Sequence, residues 1–383
     1  MQMNVQKAGR ATRVGFGCWV AATMVVGLWT AATQAAPLYA VIDLGELPGG
    51  SDYSYAYGIN DAGQVVGYSG AATGSRAFLW DGVNGMQNLG DLPGGSDASI
   101  AYGVNEAGQV AGYGNATTGW RAFLWDGVNG MQNLGDLPGG RNPSRAYGMN
   151  DVGQVVGYGA ATTGDRAFLW DGVNGMQNLG ELPGGSDYSV AYGVNNAGQV
   201  VGYSAATTGD RAFLWDSVNG MQNLGDLPGG SDHSAAYGVN DAGQVVGRSG
   251  AATGLRAFLW DSVNGMQDLG DLPGGSDDSR AYGVNDAGQV VGYSEATTGD
   301  RAFLWDSVNG MQDLSTLLDA TGTGWTLREA RAINENGWIV GYGTNPHGCI
   351  HGFLLTPTPE PASLAMLAVG AAVMSRRRPS RRR

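Results

Sequence analysis

The chain repeats Gly63-Gln64-Val65-Val66-Gly67, followed by Arg76-Ala77-Phe78-Leu79-Trp80, almost letter for letter along its 383 residues. Successive copies are 45 residues apart, and the tryptophans that mark them are Trp80, Trp125, Trp170, Trp215, Trp260 and Trp305. A divergent seventh copy runs over residues 337–355. A period of this length is typical of repeat architectures, in which each unit buries its apolar surface against the next.

Each unit contains four strand-length runs, which in the second unit are Met86–Leu89, Ala101–Asn105, Gln109–Tyr113 and Arg121–Trp125. Glycine beside Asn, Asp and Pro lies between the runs, and this composition is typical of turns. Aromatic and β-branched residues make up the runs themselves and favour strands. Four short antiparallel strands in about 45 residues predict one blade of a β-propeller. A solenoid β-helix, whose coil is usually shorter, is the alternative.

The two ends of the repeat array predict how the ring closes. Tyr39–Gly45 is a lone copy of the Met-Gln-Asn-Leu-Gly strand, and the seventh unit ends after Leu355 without one. Pairing the first strand with the last would remove a free sheet edge. The predicted fold is therefore all-β, a seven-bladed propeller over residues 37–356 closed by its N-terminal strand. Residues 319–325 and Trp338 make the seventh unit irregular.

Two residue columns are interpreted as structural. Tryptophan buries a large area, so six copies are expected to pack between blades. The arginine that opens each Arg-Ala-Phe run is expected to pair with carboxylates or backbone; this column is Arg76, Arg121, Arg166, Arg211, Arg256 and Arg301.

Residues 1–36 are predicted to be a secretory signal segment. Lys7, Arg10 and Arg13 precede the apolar run Val14–Trp29, and small residues around Ala35 suit cleavage. An uncleaved anchor is the alternative.

Residues 357–383 form a second targeting segment, in which Pro359-Glu360-Pro361 precedes an apolar stretch and the arginines Arg376, Arg377 and Arg378. The apolar stretch, residues 362–375, would make a short helix of about 21 Å, less than the roughly 30 Å hydrocarbon core. The arginines would hold this end in the cytoplasm. The arrangement resembles the PEP-CTERM sorting signal, which implies recognition by an exosortase, cleavage near Pro359–Pro361 and release to the cell surface or an extracellular polysaccharide matrix. A retained transmembrane helix acting as a tail anchor is the alternative.

The columns Ala-Phe-Leu-Trp, Leu-Gly-x-Leu-x-Gly-Gly, Tyr-Gly-x-Asn and Gly-Gln-Val-Val-Gly resemble the HAF family of extracellular repeats over residues 39–356. That family is named for His-Ala-Phe. Six units here carry Arg instead, and only the seventh keeps the histidine, as His351-Gly352-Phe353. No role of the family histidine transfers to the arginines, and the resemblance implies no reaction.

The charge excludes some partners. The formal net charge is −13, and nine of the 21 basic residues lie in the two terminal segments, so the repeats are more acidic than the whole chain. Such a body repels phosphate backbones, which excludes nucleic acid. It would also repel acidic polysaccharide unless a divalent cation bridged the two. Membrane contact is expected only through the terminal segments.

His347, Cys349 and His351 form the sharpest candidate for chemistry. Residues two apart on a strand share a face, so these three side chains could bind Zn²⁺ or Cu²⁺. The alternative is a terminal strand with a family-type histidine and a small buried cysteine. Cys349 is the only cysteine of the exported part, so an internal disulfide is excluded.

An aspartate recurs in the Gly-Gly-Ser-Asp loops, at Asp52, Asp97, Asp187, Asp232 and Asp277. A calcium role would need six to eight oxygens, and one carboxylate per blade does not supply them locally. The interpretation is that each aspartate bonds its own loop backbone. No other cofactor is expected, and His233, a single substitution in a loop column, is interpreted as solvated.

The units differ mainly in two columns that border loops. The first column is Tyr55, Ile100, Arg145, Val190, Ala235 and Arg280, and the second is Ser75, Trp120, Asp165, Asp210, Leu255 and Asp300. If the two meet on one rim, that rim is the candidate recognition face; neutral variation is the alternative.

Catalysis needs unlike residues that converge at one place, and such uniform repeats predict no catalytic group. The sequence therefore predicts an exported, non-enzymatic interaction scaffold at the cell surface or in the extracellular matrix, with polysaccharide or a surface protein as partner. The alternative is a propeller enzyme, a glycosidase or lyase acting on extracellular polysaccharide.

Overall fold

The computed structural model describes residues 38–141 and 143–358. The signal segment, and the sorting segment from residue 359 onward, lie outside these residues. Within them, 28 strands form seven antiparallel sheets of four strands, the blades of a propeller. No helix in this part of the chain is long and apolar enough to cross a membrane.

The chain opens with β1 (Tyr39–Asp43) and then builds six blades in succession. Blade 1 contains β2 (Ser54–Ile59), β3 (Val65–Gly70), β4 (Ser75–Asp81) and β5 (Gly85–Asn88). Blade 2 contains β6 (Ser99–Val104), β7 (Val110–Ala116), β8 (Gly119–Asp126) and β9 (Gly130–Asn133). Blade 3 contains β10 (Ser144–Met149), β11 (Val155–Ala160), β12 (Asp165–Asp171) and β13 (Gly175–Asn178).

Blades 4 to 6 repeat this order, with the innermost strand first. Blade 4 contains β14 (Ser189–Val194), β15 (Val200–Ala205), β16 (Asp210–Asp216) and β17 (Gly220–Asn223). Blade 5 contains β18 (Ser234–Val239), β19 (Val245–Gly250), β20 (Leu255–Asp261) and β21 (Gly265–Asp268). Blade 6 contains β22 (Ser279–Val284), β23 (Val290–Ala296), β24 (Gly299–Asp306) and β25 (Gly310–Asp313).

Blade 7 joins the two ends of the described chain. Two short 3₁₀ helices (Leu314–Leu317 and Ala320–Gly322) lead into β26 (Thr326–Ile333), β27 (Ile339–Thr344) and β28 (Ile350–Pro357). Its outermost strand is β1, which pairs antiparallel with β28 from Tyr39 opposite Pro357 to Asp43 opposite Phe353. The prediction of a seven-bladed propeller closed by its N-terminal strand is confirmed.

The repeat unit read from the sequence and the blade differ by one strand. Met86 lies opposite Trp80, so the Met-Gln-Asn strand is the outermost strand of the blade before it rather than the first of the next. This offset explains why a lone strand precedes the first repeat, since blade 7 would otherwise lack its fourth strand.

The apolar core lies between blades. Each of seven clusters combines residues of two adjacent blades; Leu79 of blade 1, for example, packs in the cluster that contains Phe123 of blade 2. Phe123 lies over Gly112 of its own blade, where a Cβ would come within 2.8 Å of the ring. The seam between blades 7 and 1 is packed in the same way, by residues that include Phe78 and Leu354.

The phenylalanine of each Phe-Leu-Trp run is fully buried, whereas the tryptophan two residues later is half-buried at the edge of the same cluster. The tryptophans at 80, 125, 170, 215, 260 and 305 all pack against the interblade clusters in this way. Both residues face the same side of the strand, but the tryptophan lies one step closer to the turn and therefore to solvent.

The irregular segment of unit seven holds the closing strand. Asp319 N donates to the carbonyl oxygen of Tyr39 at 2.9 Å, and Val41 N donates to Thr321 Oγ1 at 2.7 Å. Trp338 packs on blade 1, because a Cβ at Gly63 would lie 2.5 Å from its ring. The departures from the repeat therefore sit where the ring is closed.

Candidate binding face and central channel

A β-bulge in every innermost strand turns one side chain into the central channel. In blade 1, Ala56 lies opposite Gly67 and Gly58 opposite Val66, which leaves Tyr57 as the extra residue. Bulges of this kind redirect a side chain out of the ladder. The equivalent residues are Tyr57, Tyr102, Tyr147, Tyr192, Tyr237, Tyr282 and, in blade 7, Arg331.

These seven side chains form a closed belt around the channel, which we call the tyrosine belt. Neighbouring tyrosine rings have centroids 4.8–5.4 Å apart. The guanidinium of Arg331 lies 4.1 Å from the ring centroid of Tyr282 and 5.3 Å from that of Tyr57. A cation over the face of each ring is held by attraction to the ring quadrupole, so Arg331 closes the belt.

The belt lines a cavity of about 540 Å³. Burial, opposed by the charge of Arg331, raises the pKa of Tyr282 to about 12. Burial also raises the pKa of Tyr102 and Tyr192. The phenols are therefore neutral at physiological pH and present hydroxyl groups that both donate and accept hydrogen bonds.

The two variable columns meet on one face of the ring. This face, which we call the loop face, carries the loops between blades (such as 89–98) and the hairpins between second and third strands (such as 71–74). Arg145 from the first column lies 5.8 Å from the ring centroid of Trp120 from the second. Tyr113 lies 5.1 Å from the Arg145 guanidinium and 5.4 Å from Trp120. The two variable columns therefore meet on one rim, as the sequence analysis required of a recognition face.

The arginine column and the loop aspartates pair with each other on the loop face. Arg211 lies 3.2 Å from Asp226 and 2.5 Å from Asp232 of the following loop. Arg76 with Asp97, Arg166 with Asp187, and Arg256 with Asp277 repeat this pairing. Four of the loop aspartates have positive φ: Asp97, Asp187, Asp232 and Asp277. These four aspartates therefore pair with arginine, where the sequence interpretation expected each to bond its own loop backbone.

In blade 7, His351 takes the place of the arginine and lies close to three carboxylates. Its Nδ1 lies 2.7 Å from Asp43 Oδ1, and its Nε2 lies 3.1 Å from Asp52 Oδ1 and 3.5 Å from Glu46 Oε2. Hydrogen bonding to Asp43 raises the pKa of His351 against the opposing effect of burial. Cys349 Sγ lies 2.7 Å from Asp52 Oδ2.

The predicted metal residues are therefore only partly brought together. In the described part of the chain, the group whose ligand atoms lie within 4.8 Å of one another is Glu46, Asp52 and His351. Cys349 contacts this group through Asp52, and His347 is not a member of it. The carboxylates were missed because they lie some 300 residues from His351 and meet it only when the ring closes.

The opposite face, which we call the turn face, holds two hydrogen-bonded rings that sequence reasoning missed. Buried Asn60 donates from Nδ2 to the carbonyl oxygen of Asn105 at 3.0 Å, and the pattern continues from blade to blade until Asn334 donates to Asn60 at 3.0 Å. One residue later, each backbone N–H donates to the side chain of the next blade, as Asp241 N does to Asp286 Oδ1 at 2.9 Å.

The second ring consists of Asp61, Glu106, Asp151, Asn196, Asp241, Asp286 and Glu335, around a cavity of about 300 Å³. We call it the acidic ring. Its sequence signal was an acid after the asparagine in most Tyr-Gly-x-Asn columns, at the same spacing as the tryptophans. Burial and the charges of Asp286, Asp61 and Asp241 raise the pKa of Glu335.

His233 lies at the loop face between two charged side chains. Its Nε2 is 3.4 Å from Arg248 Nη2, and its Nδ1 is 3.8 Å from Asp210 Oδ2. Its side chain is 35% exposed, so it is only partly solvated, whereas the sequence interpretation expected a solvated residue.

Comparison with known families gives two matches. A model described as "Protein of unknown function (DUF3466)" matches residues 221–347, and one described as "PEP-CTERM protein-sorting motif" matches residues 357–382. The chain ends in a PEP-CTERM sorting motif. Signals of this type are processed by exosortases, which makes such an enzyme a partner of this chain, and they indicate an exported protein sorted to the membrane or cell surface. A comparison with curated proteins gives no significant match.

Among solved structures, the chain is similar to TolB from Acinetobacter baumannii, with 13% identity and a TM-score of 0.44 over 80% of this chain and 64% of that one. XC5397 from Xanthomonas campestris, described as a gluconolactonase, has 10% identity and a TM-score of 0.43 over 86% of this chain and 94% of that one. A Trypanosoma rangeli sialidase has 11% identity and a TM-score of 0.39 over 89% of this chain and 62% of that one. At this level of likeness the assignment of the fold rests on the chain's own strand pairing.

Proposed function

We propose that this protein is a non-enzymatic scaffold that binds extracellular glycan through its loop face. On this proposal its repeats are HAF-type repeats, and an exosortase cuts the sorting motif near Pro359–Pro361 and releases the propeller to the cell surface or polysaccharide matrix. The observation that carries the proposal is the contact of Trp120, Tyr113 and Arg145 on the loop face.

The chemistry of this group suits a sugar. Trp120 is half-buried, so its ring is held by neighbours and still presents apolar surface to which the C–H face of a sugar ring can stack. Arg145 offers a planar fork of donors to hydroxyl or carboxylate oxygens. The neutral hydroxyls of the tyrosine belt extend the polar surface inward. Rigid aromatic and arginine side chains of this kind are typical anchors of binding sites.

The test is a glycan array that carries neutral and uronate-containing oligosaccharides, probed with the exported chain with and without Ca²⁺. Trp120→Ala and Arg145→Ala should each weaken binding about tenfold, the equivalent of roughly 1.4 kcal/mol. Val128→Ala is the matched control, because Val128 is 93% exposed in a turn-face hairpin. Binding that is unchanged in both loop-face variants, or lost in the control, contradicts the proposal.

The enzyme alternative is examined with the same ligands by measuring release of reducing ends. Glu329 is the candidate carboxylate, because it lies beside Arg331 at 2.6 Å and its side chain is only 13% exposed. Turnover that is lost in Glu329→Gln would replace the scaffold proposal with a hydrolase or lyase. Binding without turnover supports the scaffold.

A further inference from the structure

The geometry points to a zinc site at the seam between blades 7 and 1, formed by His351, Glu46 and Asp52, with Asp43 as the group that orients the histidine. Glu46 and Asp52 belong to the segment between β1 and β2, and His351 belongs to β28. A metal ion here would therefore join the first part of the propeller to its last strand.

The distances fit tetrahedral coordination. Zinc bonds to nitrogen and oxygen at about 2.0–2.1 Å, so two ligand atoms at a tetrahedral angle are about 3.3 Å apart. His351 Nε2 lies 3.1 Å from Asp52 Oδ1 and 3.5 Å from Glu46 Oε2. The three ligand atoms lie within 4.8 Å of one another, so a shift of the exposed Glu46 or Asp52 side chain would bring all three around one ion, with water in the fourth position.

The other ring nitrogen of His351, Nδ1, faces a carboxylate, as is usual for zinc-binding histidines. His351 Nδ1 lies 2.7 Å from Asp43 Oδ1, and Asp43 also accepts hydrogen bonds from Gly45 N at 2.9 Å and Asn345 Nδ2 at 3.2 Å. A carboxylate that accepts the other ring N–H fixes the tautomer and the ring orientation of a metal-binding histidine. The tautomer with hydrogen on Nδ1 directs the Nε2 lone pair at Glu46 and Asp52.

A lone pair that faces two carboxylates is repulsive unless a cation lies between them. A proton on Nε2 would supply one positive charge, but three carboxylates surround this ring: Asp43, Glu46 and Asp52. In blades 1, 3, 4 and 5 a full guanidinium faces two acids, as Arg211 faces Asp226 and Asp232. The seam therefore has an excess of negative charge that a divalent cation neutralises better than a proton.

The donor set selects the metal. An imidazole nitrogen with two carboxylates suits zinc, whereas calcium prefers six to eight oxygens. Cys349 is placed behind Asp52, with Sγ 2.7 Å from Oδ2, so its thiol supports a ligand rather than acting as one. His347 lies outside the group of converging ligand atoms.

The test is calorimetric titration of the chelator-treated full chain with ZnCl₂, together with the melting temperature in the presence and absence of zinc. We expect one zinc ion per chain and a melting temperature several degrees higher with zinc, because a ligand that binds only the folded state stabilises it. His351→Ala should abolish both effects. His347→Ala and His233→Ala are matched controls that should retain them.

Three further variants separate a metal site from a simple ion pair. His351→Arg should lose zinc binding but keep the zinc-free melting temperature, since it restores the pairing of the other blades. Asp43→Asn should weaken zinc binding about 10- to 100-fold, and Cys349→Ser should leave it unchanged. Absence of stoichiometric zinc binding to the unaltered chain, or binding that survives His351→Ala, overturns the inference; so does calcium competing at equal concentration.

Discussion

Asn334 Nδ2 donates to the carbonyl oxygen of Asn60 at 3.0 Å, across the seam where the two ends of the propeller meet. The same bond joins every other pair of neighbouring blades, for example Asn240 Nδ2 to the carbonyl of Asn285 at 2.9 Å. The seam is thus bonded like an interior interface, although its partners are 274 residues apart in sequence. A closed ring leaves no weak interface at which unfolding could begin.

Asn334→Ala should therefore destabilise the propeller as much as Asn240→Ala. Each removes a buried amide that bridges two blades, and leaving a partner group unsatisfied costs about 1–3 kcal/mol in the free energy of unfolding. Urea unfolding of the two variants side by side measures this. A loss for Asn240→Ala with none for Asn334→Ala would mean that the ring is open at the seam.

The closing strand should contribute strongly to stability through Tyr39. Tyr39 is 1% exposed in the cluster between blades 6 and 7, so Tyr39→Ala should cost about 3–5 kcal/mol, as for other large aromatic side chains in cores. Its neighbour Leu38 is 47% exposed, and Leu38→Ala should cost less than about 0.5 kcal/mol. Thermal melting compares the two, and equal small effects would argue against β1 as part of blade 7.

The arginine column should stabilise the protein more where carboxylates surround the arginine. Arg256 lies 2.8 Å from Asp271 and 2.5 Å from Asp277, whereas Arg301 bonds to Thr298 Oγ1 at 2.6 Å and to the backbone of Asp300 at 3.1 Å. Solvent screens the Arg256 pairs, because Asp271 is 24% and Asp277 44% exposed, so their loss costs less than that of a fully buried pair.

Arg256→Ala should therefore lower the free energy of unfolding by more than Arg301→Ala, which loses ordinary hydrogen bonds worth about 1 kcal/mol. Chemical denaturation of both variants is the measurement. Unchanged stability in Arg256→Ala would indicate that this arginine is free to bind a ligand instead.

The acidic ring should make stability depend on pH through Glu335. Burial and neighbouring carboxylates raise the pKa of Glu335 in the folded state, so its charged form is disfavoured by folding. The resulting stabilisation by protonation is fully present below the unfolded pKa near 4.5 and is lost as the pH rises through the higher folded pKa.

Glu335→Gln should therefore stabilise the protein at pH 7 by up to about 1 kcal/mol, with the gain disappearing as the pH falls below the unfolded pKa. Asn196→Asp is the opposite change, because it adds a charge to the ring and removes donors to Asp151 and Asp241 at 3.0 and 2.9 Å. It should destabilise at pH 7, less so at high salt. Melting curves of both variants across pH measure these effects. A pH-independent difference between Glu335→Gln and the unaltered protein would contradict the electrostatic explanation.

Several features of the fold were predictable because they are local or periodic. Alternating turns and strands predicted the blades, and the lone strand at Tyr39–Gly45 predicted the closure. The sequence did not predict that Phe168 would be fully buried and Trp170 only half-buried. The larger size of tryptophan suggested that it would be the core residue. Trp170 lies beside the turn, and this position leaves it partly exposed to solvent.

The candidate site was less predictable because its contacts join distant residues. The aspartate column suggested backbone-bonded loops, but the fold places four of the aspartates against an arginine of the preceding blade and Asp52 against His351. The tyrosine belt depends on a bulge at Tyr57 and its equivalents, a backbone irregularity that no spacing in the sequence marks. The partners of His351 depend on the pairing of β1 with β28.

The sequence by itself determined the number of blades, the four strands of each repeat, the closure by the first strand and the sorting motif at the C-terminus, because turn chemistry, strand periodicity and targeting segments are encoded in neighbouring residues. Only the tertiary structure decided what faces the channel, how Trp120 meets Arg145, and why Asp43, Glu46 and Asp52 surround His351. Those contacts exist because a ring brings the ends of the array together and stacks equivalent residues at a radius that sequence spacing does not specify.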